Sequence, residues 1–391
     1  MAIQGHAIAG CTGLKMKVVL RADASLQIGT GHVMRCLTLA DALAGKGAEC
    51  QFICRAHEGN LIEFIRSKGY PTHALPVQAE PGEETSECTH DSLHPAPTHS
   101  HWLGATQDQD AQACAPILRA LQPGWLIVDH YALDARWEQT MAAHRKSLMV
   151  IDDLADRPHA CDLLLDQTFG RDAADYRSLV PAHCRLLCGS EFALLRPEFS
   201  ALRPYSLRRR AQPVLRELLI TMGGIDKNNA TDQVLQALRS CPLPTDCRIT
   251  VVMGPSAPWL GQVRAQAQNM PWPTRVLVGV SDMAQLMADS DLAIGAAGAT
   301  SWERCCLGLP TAMLVLADNQ QQAARLLQQV KAVVMLDLST SFNERLAYFI
   351  SEILNSAALL SQLSDRASKI SDGKGSERVA DMMTLKGSYD T

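Results

Sequence analysis

The stretch RADASLQIGTGHVMR, residues 21–35, decides how the chain is read. A short apolar run, Met16 to Leu20, leads into it, and Val33, Cys36, Leu37, Ala40, Leu43 and Ala44 follow at the spacing of one helical face. Gly29 and Gly31 lie between the two, and His32 stands where the helix opens. Strand, glycine turn and helix form the first unit of a nucleotide-handling α/β fold. Gly45 and Gly47 end the helix.

The same alternation continues outward. Strands are expected over 49–54, 73–75, 125–131, 147–151 and 162–166, and helices over 60–67, 111–121 and 134–143, the order of a mostly parallel sheet with crossover helices. The strand over 125–131 ends in Asp129, His130 and Tyr131, and ligands collect at the carboxyl ends of such strands. These side chains are either functional or a helix cap with Tyr131 packing beside it. Asp152 and Asp153 end the next strand; paired acids are one reading and a capped loop the simpler one.

Residues 78–110 break the pattern. They are rich in Pro, Ser, Thr and Glu, and His90, His94, His99 and His101 fall close together. A metal site is the sharper reading, a flexible surface insertion the simpler one. Residues 201–213, with Arg203, Arg208, Arg209 and Arg210 between prolines, read as a linker.

A second array then begins. A strand over 215–221 runs into Gly223 and Gly224, and another ends at Met253. Val280 follows a third. The strongest signal is DLAIGAAGATSWE, residues 291–303, in which a strand enters a turn of small residues before a helix. Small residues let a diphosphate approach the backbone N–H groups, Thr300 and Ser301 offer hydroxyls, and Glu303 is placed to accept from ribose hydroxyls. Asn319 opens a later helix and also points toward the cleft. The expected division is an extension over 1–15, a first Rossmann-like domain over 16–200 containing the insertion, and a second over 214–391 that holds the nucleotide.

Composition narrows the classes. Apolar residues make up 47% of the 391, and the net charge of −5 gives no basic field for nucleic acid or an anionic membrane. No run approaches the roughly 18 apolar residues of a membrane span. Thirteen cysteines, none in a C-x-x-C pair, suit free thiols in a reducing cytoplasm.

Two parallel-sheet domains facing a cleft resemble the GT-B architecture of nucleotide-sugar glycosyltransferases. The motif R-x-D-x-S-x-x-I-G-x-G-H-x-x-R at residues 21–35 narrows the resemblance, as do DHY at 129–131, DDLADRPH at 152–159, CDLLLDQ at 161–167, YRSLVP at 176–181, ALLRPEF at 193–199 and MGGID at 222–226. In this order they are similar to the UDP-2,4-diacetamido-2,4,6-trideoxy-β-L-altropyranose hydrolases of pseudaminic acid biosynthesis, over residues 16–330. The resemblance implies release of UDP by water attack at the anomeric carbon with inversion, without a metal or other cofactor. It implies that His32 is the catalytic histidine, that Asn319 is a substrate-side asparagine and that Glu303 is the acid on the nucleotide helix. Trp302 departs from the pattern, where a small or amide residue is expected.

The residues agree with such chemistry. Imidazole exchanges protons near neutral pH, and glycine turns at helix starts can neutralise a leaving diphosphate. Gly29 and Gly31 let a sugar approach His32, with Arg21, Asp23, Tyr131 and Asn319 as its substrate-side neighbours. The phosphates then belong to the second domain, at Gly223, Gly224, Met253, Val280, Gly298, Thr300, Ser301 and Glu303. A glycosyltransferase of the same architecture is one alternative, although no apolar, basic membrane-facing stretch is visible in the first half. A nucleotide-sugar-binding protein without turnover is the other. Nothing in these features calls for a second subunit, and a monomer is compatible with them.

Overall fold

The computed structural model describes residues 15–77 and 97–386. Two all-parallel sheets organise them. The first has seven strands: β1 (Lys17–Ala22), β2 (Glu49–Arg55), β3 (Thr72–Leu75), β4 (Trp125–Asp129), β5 (Ser147–Ile151), β6 (Leu163–Asp166) and β7 (Arg185–Cys188), in the order β3-β2-β1-β4-β5-β6-β7. The second has six: β8 (Glu217–Thr221), β9 (Arg248–Met253), β10 (Thr274–Val278), β11 (Leu292–Ala296), β12 (Thr311–Leu314) and β13 (Val334–Leu336), in the order β10-β9-β8-β11-β12-β13. This is the GT-B arrangement. Strands buried on both faces, such as Trp125–Asp129, need no polar alternation, which is why they read as continuous apolar runs.

Each sheet reverses direction of strand order once, at β1/β4 and at β8/β11. Crevices for ligands open at the carboxyl ends of strands where such a reversal occurs. The glycine turn at residues 29–31 follows β1, Asp129 ends β4, Gly223 follows β8 and Gly298 follows β11, so all four segments meet at these reversals.

Three expectations about boundaries are corrected. The supposed linker is helical: Pro197–Arg210 forms a helix despite Pro204. Arg203 donates to the carbonyls of Cys306, Ser368 and Ser371, and Arg210 to those of Met287, Ala288 and Gly308. Arg203 and Arg210 thus satisfy carbonyls at the ends of second-domain helices, Arg209 pairs with Asp291 at 2.6 Å, and Arg208 is exposed. The second domain, expected to run to residue 391, gives up its last helix, Gly375–Lys386, which returns to the first domain. Val379, Ala380 and Met383 enter the same core as Val18, Leu20 and Leu43, and Lys46 pairs with Asp381 at 2.5 Å.

The third correction concerns residues 78–110. Residues 78–96, with His90 and His94, lie outside the described residues, but 97–110 are folded. Thr106 caps the helix Gln107–Leu121 with a reciprocal bond from Gln109, and Asp110 is fully buried in its first turn. Asp110 accepts from Arg21 at 2.7 Å, from Arg55 at 2.5 Å and from the Trp137 indole at 3.0 Å. Arg21 also donates to Asp23 at 2.6 Å. These charges form a buried layer under the carboxyl ends of β1 and β2. Removing one partner of such a layer strands the others in a low-dielectric interior. Asp110→Ala is therefore expected to cost about 3–5 kcal/mol of stability, measured by urea unfolding; a loss below about 1 kcal/mol, the range of surface ion pairs, would contradict this role.

Candidate functional site

His32 sits in the first turn of the helix Gly31–Ala44, directly after the turn that leaves β1. Gly29 holds φ at 82°, a left-handed value that a side chain resists, and its N–H donates to Ser25 at 2.9 Å to close the loop. Asp129 reaches His32 from the neighbouring strand. Its Oδ1 lies 2.6 Å from His32 Nδ1, and Arg35 donates to both its oxygens at 2.6 and 2.7 Å. Burial alone would raise the Asp129 carboxyl; Arg35 and His32 outweigh this and hold it far below the usual carboxylate range. An ionised Asp129 at this distance takes the Nδ1 proton as its hydrogen bond. The tautomer so fixed carries its lone pair on Nε2, which makes no hydrogen bond to the described residues. The His32 side chain remains 10% exposed.

Further groups hold this pair. Tyr131 meets the His32 ring edge-on, with centroids 4.6 Å apart, and its hydroxyl donates to Asp153 at 2.8 Å. Arg35 bridges Asp129 to Asp153 at 2.5 Å. Asp152 accepts from Leu154 and Ala155 N–H groups and pairs with Arg157 at 2.8 Å, so it acts as the capped loop of the simpler reading. Burial opposes ionisation of Asp152, but Arg157 and His159 keep it low, at about 2.

Two expected substrate contacts are corrected. Arg21 and Asp23 are fully buried in the ionic layer beneath the loop, and the Asp23 carboxylate is engaged by Arg21 and by the Arg55 backbone N–H at 2.6 Å each. They support the floor of the site and do not face it. His130 joins them: its Nδ1 accepts from the Ala132 N–H at 3.1 Å, which turns Nε2 toward Asp23 Oδ2, 3.2 Å away.

The second domain supplies the opposite wall. Gly224 faces the first domain so closely that a Cβ there would stand 2.9 Å from Thr30 Oγ1, one residue before the helix of His32 begins. Leu326 likewise fills the space beside Gly170, and Arg196 donates to the Ser281 carbonyl at 3.1 Å. Gly223 is open and takes φ 89°. Gly298 has no neighbour that a Cβ would meet, and Thr300 and Ser301 follow at the start of the helix Thr300–Cys306. Beneath this turn lies Arg304, which the sequence alone does not single out. It donates to Thr300 Oγ1 at 3.1 Å, Ser301 Oγ at 3.2 Å and the Ala296 carbonyl at 2.7 Å. Both hydroxyls therefore act as acceptors toward Arg304 and keep their own protons for another acceptor.

Glu303 is half-buried and free of ion pairs among the described residues; desolvation pushes its carboxyl up to about 7 against the opposing influence of Arg196 and Arg304. Val280 is half-buried beyond the end of β10, and Asn319 is exposed in the turn after β12. The Met253 side chain is corrected as a contact, since it packs into the second-domain core at 2% exposure. Trp302 is buried as well, in the same second-domain core cluster as Ala284, Met287 and Cys305. No group of three or more His, Cys, Asp or Glu among the described residues is arranged to hold a metal ion. No single described helix is long and apolar enough to cross a membrane.

Residues 218–379 match the glycosyltransferase family 28 C-terminal domain. The chain is 26% identical, over 311 residues, to the UDP-2,4-diacetamido-2,4,6-trideoxy-β-L-altropyranose hydrolase of Campylobacter jejuni, covering 79% of this chain and 95% of that protein. It is 30% identical over 205 residues to the spore coat polysaccharide biosynthesis protein SpsG of Bacillus subtilis, covering 52% of this chain and 59% of that protein. Among solved structures, MurG of Acinetobacter baumannii superposes with a TM-score of 0.67 at 16% identity, covering 95% of this chain and 99% of that one. The resemblance carried by the motifs and the one found across the chain thus name the same hydrolase family.

Proposed function

We propose that this protein hydrolyses UDP-2,4-diacetamido-2,4,6-trideoxy-β-L-altropyranose, or a close UDP-linked amino sugar, releasing UDP and the free sugar. The observation that carries the reading is the 2.6 Å contact between Asp129 and His32 Nδ1, which leaves Nε2 as the free base in a cleft faced by a small-residue nucleotide turn. Similarity to the Campylobacter jejuni hydrolase over most of both chains supports the substrate.

In this reading the uridine diphosphate lies along the second domain. Gly223, Gly224 and Gly298 admit the phosphates close to backbone N–H groups, the half-buried Thr300 donates its hydroxyl proton, and Glu303 accepts from the ribose. Ser301, 2% exposed, is corrected as a phosphate contact and holds the turn through Arg304. Asn319 and the Tyr131 ring border the sugar, and Gly29 and Gly31 leave room for it beside His32. A water between His32 Nε2 and the anomeric carbon gives its proton to Nε2 as its oxygen bonds to that carbon. The bond to the β-phosphate oxygen breaks at the same centre, and UDP leaves on the opposite face with the electron pair. The sugar is released with its anomeric configuration inverted. Asp129 stabilises the imidazolium that forms, as a carboxylate behind a catalytic histidine does. No metal ion takes part in this step. The family 28 match favours one second reading, in which an acceptor alcohol replaces water at the same centre.

His32→Ala is expected to lower UDP release by about 10²–10⁴-fold, the usual worth of a positioned base, with UDP affinity unchanged. Asp129→Asn is expected to lower turnover in the same direction, because an amide does not select the Nδ1–H tautomer. Turnover in His32→Ala equal to that of the unaltered protein, followed as UDP release, would reject the assignment. For Glu303, the ribose bonds favour the carboxylate, whereas the free protein holds its proton up to about pH 7. Uridine affinity should therefore rise as pH is raised from 6 to 8, and the rise should vanish in Glu303→Gln; calorimetric titration at several pH values checks both.

A further inference from the structure

Residues 99–103 have no part in the chemistry above, yet they are firmly placed beside it. Leu103 is 1% exposed, and Asp110 on the following helix is locked between Arg21 and Arg55. Between these anchors and the cleft stands a run of rings. Trp102 stacks on Tyr131 at 5.8 Å and 26°. His99 lies 4.3 Å from Trp102 and 5.6 Å from Tyr131, and Tyr131 in turn touches His32. His99 and Trp102 are half-buried, so each keeps surface free, while the Tyr131 hydroxyl is committed to Asp153. The wall thus offers parts of two ring faces, with Arg157 5.8 Å from the Tyr131 ring centroid and Asp156 near enough to act on His99. Desolvation also lowers the His99 pKa, which keeps that ring uncharged at neutral pH.

We infer that His99 and Trp102 form a specificity wall beside His32, against which the apolar parts of the sugar pack: its C–H face, a 6-methyl group and acetamido methyls. Aromatic faces gain by covering such groups and lose by stripping water from hydroxyls, so the wall selects deoxy, N-acylated sugars over fully hydroxylated hexoses. The inference rests on the UDP-sugar reading of the cleft, but its test does not need turnover.

The quantity to measure is how much the sugar adds to UDP affinity, as the ratio of Kd for UDP to Kd for the UDP-sugar. Calorimetry in the His32→Ala background supplies it for the 2,4-diacetamido-2,4,6-trideoxy sugar and for glucose. Trp102→Ala is expected to lower the first ratio by about tenfold, leave the glucose ratio and UDP affinity unmoved, and be largely restored by Trp102→Phe. His99→Ala should shift the same ratio in the same direction and serves if Trp102→Ala does not fold. An unchanged ratio, or an equal loss for both sugars, would overturn the inference. Should the unaltered protein release no UDP, the hydrolase reading fails while these ratios still decide the wall.

Discussion

The buried carboxylate of Asp129 is the interaction on which the site depends. It ends β4 beside β1, where strand order reverses, and it is gripped on both oxygens by Arg35 from the helix that carries His32. A fully buried aspartate is costly unless paired, and this one is paired by two groups from a single helix. The pairing ties that helix to the sheet, fixes which nitrogen of His32 faces the cleft, and orients the ring against Tyr131. Fold and chemistry therefore share one constraint. A change that loosens Asp129 disturbs helix placement and histidine tautomer together.

The second constraint is how closely the two domains approach. Thr30 stands against Gly224, so the turn before the helix of His32 and the turn after β8 meet directly. The helix Pro197–Arg210 fastens its arginines to second-domain carbonyls, and the last helix returns to the first-domain core. The chain crosses the cleft twice, and both crossings are built from long-range contacts. This holds the wall with His32 opposite the wall with Gly298 and Glu303 without a dedicated hinge residue standing out in sequence.

Much of this was legible from local pattern. Glycine turns after apolar runs mark β1, β8 and β11, because the backbone there must turn sharply and admit a ligand, and His32 and Glu303 are found at those turns. What local pattern hid depends on distant partners. Pro204 and the arginines around it look like a linker until the carbonyls that Arg203 and Arg210 cap are known. Val379, Ala380 and Met383 form too short an apolar face to be noticed without the helix they cover. Arg21 and Asp23 sit in the most recognisable motif, yet Arg21 pairs with Asp110, 89 residues away, and Asp23 with Arg21 and the Arg55 N–H, and neither faces the cleft. Asp129 was ambiguous because a strand-end aspartate serves equally as a cap; only its contact with Arg35 and His32 separates the roles. Trp102 was hidden by a polar, proline-rich neighbourhood that reads as surface insertion, and His99 stood out there only as one of four clustered histidines.

The central claim is that water, activated by His32 Nε2, replaces UDP at the anomeric carbon. Turnover of UDP-2,4-diacetamido-2,4,6-trideoxy-β-L-altropyranose in ¹⁸O-labelled water, without an added acceptor, followed by NMR and mass spectrometry, tests it most directly. The account predicts that the label enters the sugar at its anomeric oxygen, that UDP is unlabelled, and that the first free anomer is the inverted one. Label in the β-phosphate of UDP, a first-formed anomer of retained configuration, or no free sugar until an alcohol acceptor is supplied would contradict it.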